Sequence, residues 1–282
     1  MKVMRFLGYA LGALVALVAV AALVVYFMSQ RALAGASPQA SHLATPSAAE
    51  LADGDRQLHV LGCANCHGPK LQGEIFIDEP KLAKVYAPNL TLIAAKASDA
   101  QLDQAIRQGI GHDGRALVIM PSEGYQFLTD AETAALIAAI RATPKGGQEQ
   151  PARSIGPVGR IGLLAGKFQT TPDLVKQYRA SPIPDFGAQF ARGRHLVATN
   201  CAECHGSDLK GKEVKPGEQS ADLAIAGAYD LDQFKALLRK GVAPGKKLGL
   251  MGAVARSDFK NLNDDEIAAI HDYLVERAKR MP

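Results

Sequence analysis

The chain contains no tryptophan, few aromatic residues and comparatively few charges. Of its 282 residues, 6% are aromatic and 21% are charged, whereas 48% are hydrophobic. A disordered chain combines low hydrophobicity with high charge, and a collagen-like fibre repeats glycine at every third position, so this composition excludes both. Cysteine is also scarce, at four residues, which excludes a scaffold held together by many disulfides. We therefore expect a folded protein.

One long apolar run stands near the N-terminus, at residues 6–28, and its 23 residues include no charge. As a helix it would be about 35 Å long, more than the roughly 30 Å of a bilayer core. Lys2 and Arg5 precede the run and Arg31 follows it, a charge distribution that places the N-terminus in the cytoplasm. We expect residues 1–30 to form a cytoplasmic start and a single-pass transmembrane anchor.

A cleaved secretory signal peptide is the alternative for this segment, because Ala32, Leu33 and Ala34 resemble a small-residue cleavage site. The apolar core of a signal peptide is about 7 to 15 residues long, however, so the longer run favours an uncleaved anchor. Both alternatives export the rest of the chain. In a bacterium this predicts a protein of the inner membrane, with its folded part in the periplasm.

Beyond residue 48 the chain repeats itself. Matching features lie 138 residues apart at the first cysteine of each repeat, 132 at the glycine that ends the middle helix and 134 at the cap of the last helix. Both repeats carry capping-box signatures before short amphipathic segments, so we expect an all-α fold. The predicted caps are Ser98, Thr129, Asp230 and Asn263, and the predicted stops are Gly109 and Gly241.

These offsets predict a first domain at residues 49–145 and a second at residues 187–282. Residues 31–48 are rich in alanine, serine and proline, which is typical of a tether that holds the folded part away from the membrane. Residues 146–186 are rich in proline and glycine and are interpreted as a linker. Four apolar residues of the linker are expected to pack on one of the domains: Ile161, Leu163, Leu164 and Phe168.

All four cysteines fall into two copies of one pattern, Cys63-Ala64-Asn65-Cys66-His67 and Cys201-Ala202-Glu203-Cys204-His205. In a helix, residues at positions i, i+3 and i+4 share a face, so each copy presents two thiols and an imidazole together. Two thiols can form thioethers with the vinyl groups of a haem while the imidazole reaches the iron. The pattern therefore predicts two covalently attached haem c groups.

Paired cysteines also occur in structural zinc sites and in thioredoxin-like redox proteins. Structural zinc sites usually place their cysteine pairs about 15 to 20 residues apart within one small domain, whereas these pairs are 138 residues apart. A thioredoxin-like redox pair needs alternating strands and helices around it, which the sequence does not predict. Both are weaker interpretations than haem attachment.

Methionine is the expected second axial ligand of each iron. Met120 and Met251 lie 53 and 46 residues after the histidine of their repeat, and each is predicted in the loop between the middle and last helices. A thioether sulfur opposite an imidazole favours ferrous iron and raises the reduction potential. His112 is the rival ligand in the first repeat, but it has no counterpart in the second and is interpreted as an exposed turn residue.

At these residues the chain resembles the class I cytochrome c superfamily, and more narrowly the membrane-anchored di-haem cytochromes c that serve as cytochrome subunits of bacterial periplasmic dehydrogenases. The resemblance rests on the following segments: Cys63–Gly68, Ala87–Thr91, Gly109, Asp113–Gly114, Met120–Pro121, Tyr125 and Leu128–Asp130 in the first repeat, and Cys201–Gly206, Asp222–Leu223, Tyr229, Gly241, Leu248–Met251, Leu262, Glu266 and Tyr273–Leu274 in the second. It implies two tandem class I cytochrome c domains. It also implies thioethers on Cys63, Cys66, Cys201 and Cys204, proximal ligands at His67 and His205, and distal ligands at Met120 and Met251.

The expected function is therefore electron transfer between periplasmic redox partners such as a dehydrogenase, an oxidase or a small cytochrome. The protein would act either alone or as a fixed subunit of a larger complex. The sequence carries no nucleophile elbow or phosphate-binding glycine loop, so we expect an electron carrier and no enzyme. The alternative is a di-haem redox enzyme of the peroxidase or thiosulfate-oxidising type, with one open haem site. No nucleic-acid binding is expected, because four haem propionates would cancel the formal charge of +4.

Overall fold

The N-terminal apolar run forms one long helix in the computed structural model, which describes residues 2–35, 37–215, 217–245 and 248–281. Helix α1 (Lys2–Leu33) has 32 residues and is long and apolar enough to cross a membrane. At 1.5 Å per residue it is about 48 Å long, so it extends beyond a bilayer core. Ser29 and Leu33, near its C-terminal end, are buried against the folded part of the chain.

The first repeat contains six helices and a short sheet. Its helices are α2 (Ala48–Val60), α3 (Cys63–His67), α4 (Leu90–Ile93), α5 (Asp99–Asp103, continued by a π-helical segment, Gln104–Gln108), α6 (Ser122–Tyr125) and α7 (Asp130–Ala142). Strand β1 (Glu74–Glu79) pairs with β2 (Ala83–Ala87) in an antiparallel hairpin, and β2 also pairs with β3 (Ser154–Ile155).

The segment between the repeats contains α8 (Pro157–Leu164) and α9 (Thr171–Ala180). The second repeat contains α10 (Ala191–Asn200), α11 (Ala202–His205), α12 (Leu231–Lys240), α13 (Leu250–Ser257), α14 (Asp264–Arg280), and 3-10 turns at Ala188–Phe190, Leu223–Ala228 and Phe259–Asn261. Strands β4 (Glu213–Lys215) and β5 (Glu218–Gln219) form a small antiparallel pair. The fold is mainly helical as predicted, and the short strands were not predicted.

The predicted helix boundaries are confirmed. All four capping boxes form, with the side chains of Ser98, Thr129, Asp230 and Asn263 each capping a helix start. Gly109 and Gly241 end the middle helices in the left-handed conformation, with φ of 68° and 65°, which glycine adopts without steric cost.

In each repeat the first and last helices cross at a glycine. A Cβ atom on Gly54 of α2 would lie 2.7 Å from the carbonyl oxygen of Ala135 on α7. A Cβ atom on Gly193 of α10 would lie 2.7 Å from Cβ of Tyr273 on α14. Both helix pairs therefore pack too closely for any larger residue at the crossing. The same arrangement in both copies confirms the repeat.

The segment after α1 does not extend away from the folded part. The backbone N–H of Gln39 donates to the Gln108 side chain at 2.8 Å, and the Ser41 hydroxyl donates to the carboxylate of Asp103 at 2.6 Å. Leu43 packs on the apolar cluster of the first repeat. Residues 37–46 therefore lie along the first repeat, which differs from the free tether that their composition suggested.

The segment between the repeats is also structured. Helix α9 packs on α6, and Tyr178 of α9 belongs to the core of the second repeat, so this helix joins the two repeats. Helix α8 contacts α1 instead. Of the apolar residues expected to pack on a domain, Leu163 is buried, but Ile161 and Leu164 are 57% and 38% exposed. For those two the expectation was wrong.

Candidate haem-binding sites

Both cysteine patterns form a short helix that ends at a glycine. Helix α3 spans the whole of the first pattern, and α11 begins one residue after Cys201. Gly68 and Gly206 follow the histidines with φ of 77° and 81°, a left-handed conformation that turns the chain back. No two of the four cysteines form a disulfide. In the described part of the chain, no three or more His, Cys, Asp and Glu side chains cluster as a metal site.

The two histidines are oriented by backbone carbonyls. Nδ1 of His67 lies 2.8 Å from the carbonyl oxygen of Pro88, and Nδ1 of His205 lies 2.7 Å from that of Ala221. A carbonyl only accepts, so Nδ1 carries the proton and donates, and Nε2 keeps its lone pair. Burial lowers the pKa of both rings, although the carbonyls partly oppose it. Each histidine is thus a neutral imidazole in the tautomer that binds a metal through Nε2.

The turn that follows each histidine is the same in both repeats. The N–H of Gly73 donates to the carbonyl of His67 at 2.8 Å, and the N–H of Gly211 donates to that of His205 at 2.9 Å. Leu71 and Leu209, 138 residues apart, adopt left-handed backbones with φ of 54° and 60°. Leucine is strained there, and both side chains are buried, so core packing holds the turn in place.

The carbonyls that hold the histidines are themselves fixed, by different means in the two repeats. Asn89, after Pro88, donates to the carbonyl of Gly146 at 2.8 Å. The matching residue is Asp222, which accepts from Nη1 of Arg277 at 2.8 Å. Arg277 is fully buried in α14 and also donates to the carbonyl of Asp208 at 3.0 Å. The sequence alone does not single out Arg277, because a single arginine on an amphipathic helix is typical of a solvated face.

The two methionines lie on the apolar clusters of their repeats. Met120 is half-buried against the cluster that contains Cys63, and its carbonyl accepts from the Thr171 hydroxyl at 3.1 Å. Met251 is half-buried against the cluster that Cys201 also contacts. The prediction of a loop was wrong for Met251, which is the second residue of α13, because the carboxylate of Glu218 binds the N–H of Leu250 at 2.8 Å at the start of this helix. His112 is an exposed turn residue, as predicted.

These residues fit a haem on physical grounds. Each apolar cluster is in contact with one attachment cysteine and one methionine, and a neutral imidazole stands beside each. An apolar macrocycle needs such a pocket, and a ferrous iron favours soft sulfur and imidazole donors. Burial raises the pKa of the Cys63 and Cys201 thiols to about 12, so both are protonated at neutral pH.

The family model for cytochrome c matches residues 51–144 and 190–278, which together are more than half of the chain. The chain belongs to the cytochrome c family. Each of the two matches contains one of the cysteine patterns, so the protein is a cytochrome with two covalently bound haem c groups and with electron transfer as its general role. No curated protein matches the chain significantly.

The two cytochrome c domains pack against each other with approximate two-fold symmetry. Arg56, two residues after Gly54, donates to both carboxylate oxygens of Glu266 in the other domain, at 2.8 and 2.9 Å. His195, two residues after Gly193, lies 2.9 Å from the carboxylate of Glu132. Glu132 and Glu266 hold the same place, as the third residue of the last helix and the acid of its capping box.

Each attachment motif of the cytochrome lies at this interface. Asn65, inside the first motif, donates to both carboxylate oxygens of Asp258 in the second domain, at 2.9 and 2.8 Å. Helix α11, which carries most of the second motif, packs on α6 of the first domain. A Cβ on Gly124 of α6 would lie 3.3 Å from the carbonyl of Thr199, which closely precedes the second motif. Both motifs therefore lie at the domain boundary.

Acidic side chains lie buried or half-buried at this boundary. Glu123 of α6 is 4% exposed, and burial raises the pKa of its carboxyl even though Lys212 lowers it. In the second motif, burial and the nearby Glu123 raise the pKa of Glu203 to about 7. Glu132 behaves differently: burial raises its pKa, but the His195 ring and the capping-box bonds outweigh burial and lower it overall. Sequence spacing carries no signal for this cluster, because its members come from separate elements.

Proposed function

We propose that this cytochrome is a membrane-anchored di-haem electron carrier in which electrons pass between the two haem sites across the domain interface. The observation that carries the proposal is the placement of both attachment motifs at one boundary, where Asn65 binds Asp258 and α11 packs on α6. Paired interface contacts, Arg56 with Glu266 and His195 with Glu132, hold the two domains in one arrangement. Fixed proximity is what efficient electron transfer requires.

In this proposal Cys63 and Cys66 attach one haem and Cys201 and Cys204 the other. Each of these cysteines would hold its haem through a thioether. His67 with Met120, and His205 with Met251, would bind the two irons. A bound haem c supplies an iron that changes between ferric and ferrous states. The protein's part is to keep each imidazole neutral, to bury the site and to hold in place the segment that carries each methionine.

The anchor is the second part of the proposal. We propose that α1 spans the bacterial inner membrane, with the N-terminus in the cytoplasm and both haem domains in the periplasm. Its length, its composition and its exposed apolar surface support this. The partners are redox proteins such as a dehydrogenase, an oxidase or a small cytochrome, and the protein serves them either free-standing or as a bound subunit.

Spectroscopy of the holoprotein tests the ligand assignment. We expect two c-type haems in a pyridine haemochrome assay, a mass of the chain plus two haems, and a near-infrared band from sulfur bound to ferric iron. Met120→Ala and Met251→Ala should each remove part of that band and lower one reduction potential. Unchanged spectra in both variants, or a high-spin signal in the resting wild type, would overturn the assignment and favour a redox enzyme with an open site.

Electron transfer between the domains is tested by rapid single-electron reduction followed by optical detection of equilibration. We expect equilibration within one molecule, at a rate that does not depend on protein concentration. The double variant Arg56→Ala/His195→Ala should slow it, because both interface contacts are lost, whereas Lys96→Ala, which removes an exposed ion pair with Glu149, should not. A rate that rises in proportion to concentration in the wild type would contradict the proposal.

A further inference from the structure

Helix α8 lies beside the C-terminal end of the membrane anchor. Arg160 of α8 donates to the Ser29 hydroxyl at 2.7 Å and to the side chain of Gln30 at 3.1 Å. The same guanidinium stands over the ring of Tyr26, 4.5 Å from its centroid. Arg153, just before α8, donates to the carbonyl of Leu33 at 3.3 Å. The position of α8 along the anchor is therefore fixed by side chains on both.

The outer face of α8 is apolar and uncovered. Val158 is 56% exposed, Ile161 57% and Leu164 38%, and the spacing of three residues puts them on one side of the helix. Leu82, in the turn between β1 and β2, is 42% exposed and lies near the start of α8, where its carbonyl accepts from the N–H of Gly156 at 2.9 Å. Apolar side chains grouped in this way mark a surface that binds something apolar.

The level of α8 along the anchor indicates what covers this face. The uncharged run of α1 ends at Met28, and α8 contacts α1 at Tyr26, Ser29 and Gln30 through Arg160. This is where a spanning helix leaves the hydrocarbon core and where aromatic residues of membrane proteins concentrate. Residues 157–168 contain no acidic side chain but include Arg160 and Lys167. An amphipathic helix with basic residues at this level matches a lipid headgroup region.

We propose that α8, together with Leu82, is an interfacial membrane helix that inserts Val158, Ile161 and Leu164 into the lipid surface. The inference rests on the proposed membrane anchor and adds a second membrane contact to it. Two contacts, one spanning and one lying flat, fix the tilt of the first cytochrome c domain relative to the bilayer. Helix α8 packs beside α1, where Phe27 and Met28 are also exposed, and this favours lipid over a soluble partner.

The test uses the full-length holoprotein in vesicles that contain anionic phosphatidylglycerol. The native cysteines are consumed by haem attachment, so a single added cysteine at Ile161 carries a nitroxide label uniquely. Labels at Val242, an exposed residue of the second domain, and at Leu17, in the middle of α1, serve as controls. The measurement is the accessibility of each label to oxygen, which concentrates in lipid, and to a water-soluble nickel complex.

The label at residue 161 should favour oxygen over the nickel complex at least several-fold more than the label at residue 242. If the labels at residues 161 and 242 give equal ratios of oxygen to nickel accessibility while the label at residue 17 lies in lipid, the proposal for α8 is overturned and the proposed anchor is supported. If the label at residue 17 is also as accessible to the nickel complex as the label at residue 242, the proposal that α1 spans the membrane is overturned. A disulfide-linked or crosslinked dimer through residue 161 would identify a second copy as the occupant and overturn the lipid assignment.

Orientation gives an independent readout. In aligned bilayers the haem absorption of the wild type should show linear dichroism. The variant Val158→Ser/Ile161→Ser/Leu164→Ser, whose three side chains are exposed and make little core contact, should reduce the dichroism at least two-fold and leave the visible spectrum unchanged. Dichroism equal to that of the wild type would overturn the proposal.

Discussion

Arg56 in the first cytochrome c domain binds Glu266 in the second through two parallel hydrogen bonds, 2.8 and 2.9 Å long. Such paired contacts of a guanidinium with a carboxylate are stronger than single ones and fix direction as well as distance. Glu266 also caps the last helix of its own domain. The same carboxylate thus closes a helix and joins two domains.

Removal of Arg56 should weaken the whole protein. The Glu266 side chain is 8% exposed, so Arg56→Ala leaves a carboxylate buried without its partner. We expect the free energy of unfolding to fall by about 2–4 kcal/mol, measured by denaturant titration. The matched control is Lys96→Ala, whose partner Glu149 is 65% exposed, and which should cost less than about 1 kcal/mol. Equal losses in the two variants would contradict the role of the interface.

Glu123 should make stability depend on pH. Burial raises the pKa of its carboxyl above the ordinary 4.5, so the folded protein keeps a proton that the unfolded chain has already released. Stability should therefore decline as pH rises from about 4.5 to the raised pKa, by the linkage of protonation to folding. Glu123→Gln should flatten this decline and add on the order of 1–2 kcal/mol at pH 8. If the stability of the variant depended on pH in the same way as that of the wild type, the predicted role of Glu123 would be contradicted.

Gly193 should not tolerate a side chain. A Cβ there would lie 2.7 Å from Cβ of Tyr273, so Gly193→Ala must separate α10 from α14. We expect a loss of about 1–3 kcal/mol in the free energy of unfolding, typical of an overpacked core. Gly162→Ala is the control: its Cβ would lie 3.4 Å from the Phe168 ring, an ordinary contact, and alanine favours helix. Thermal unfolding of both variants measures this difference in stability, and equal melting temperatures for the two variants would contradict the prediction.

Thr171 should stabilise the backbone conformation at Met120. Thr171→Val keeps the shape of the side chain but removes the hydroxyl that donates to the Met120 carbonyl at 3.1 Å. If Met120 is an axial ligand, the near-infrared band should be lost at a lower alkaline pH than in the wild type. Thr143→Val removes a similar bond to the carbonyl of Ala139, at 3.1 Å in α7, and should leave that pH unchanged. The same pH in all three proteins would disprove the role of Thr171.

Arg277 should act on the second haem site through Asp222. Arg277→Met keeps most of the buried volume but removes the bonds to Asp222 and to the carbonyl of Asp208. We expect a cost of about 1–2 kcal/mol, because the hydrogen bonds of the buried guanidinium are lost, whereas Asp222, whose side chain is 45% exposed, is left to water. The loop whose Ala221 carbonyl orients His205 should also loosen, and the reduction potential of one haem should change while that of the other stays constant. Potentiometric titration would separate a purely structural effect, which leaves both potentials unchanged.

Local features were predictable from the sequence, because their causes are local. The attachment patterns, the capping boxes at Ser98 and Asp230, and the stops at Gly109 and Gly241 each depend on residues within one helical turn. The constant offset between the repeats then extended these predictions from one domain to the other. The resemblance to class I cytochromes c agreed with them and supplied the ligand assignment, which stays a prediction.

Contacts between distant segments were not predictable in this way. Periodicity does not reveal that Arg56 meets Glu266, or that Tyr178 from the linker enters the core of the second domain. Met251 was expected in a loop because its helix begins only with the help of Glu218, from a separate strand. Ile161 and Leu164 were assigned to the core on hydrophobicity alone, and hydrophobicity does not distinguish a core from a membrane surface.

The hydrogen bonds from Gln39 to Gln108 and from Ser41 to Asp103 hold the segment that follows the anchor against the first cytochrome c domain. With α1 anchored as proposed, the first cytochrome c domain would stay at one height above the membrane, and redox partners would have to dock at that height. Added linker length would then change the rate of encounter with partners only if it also broke these two contacts.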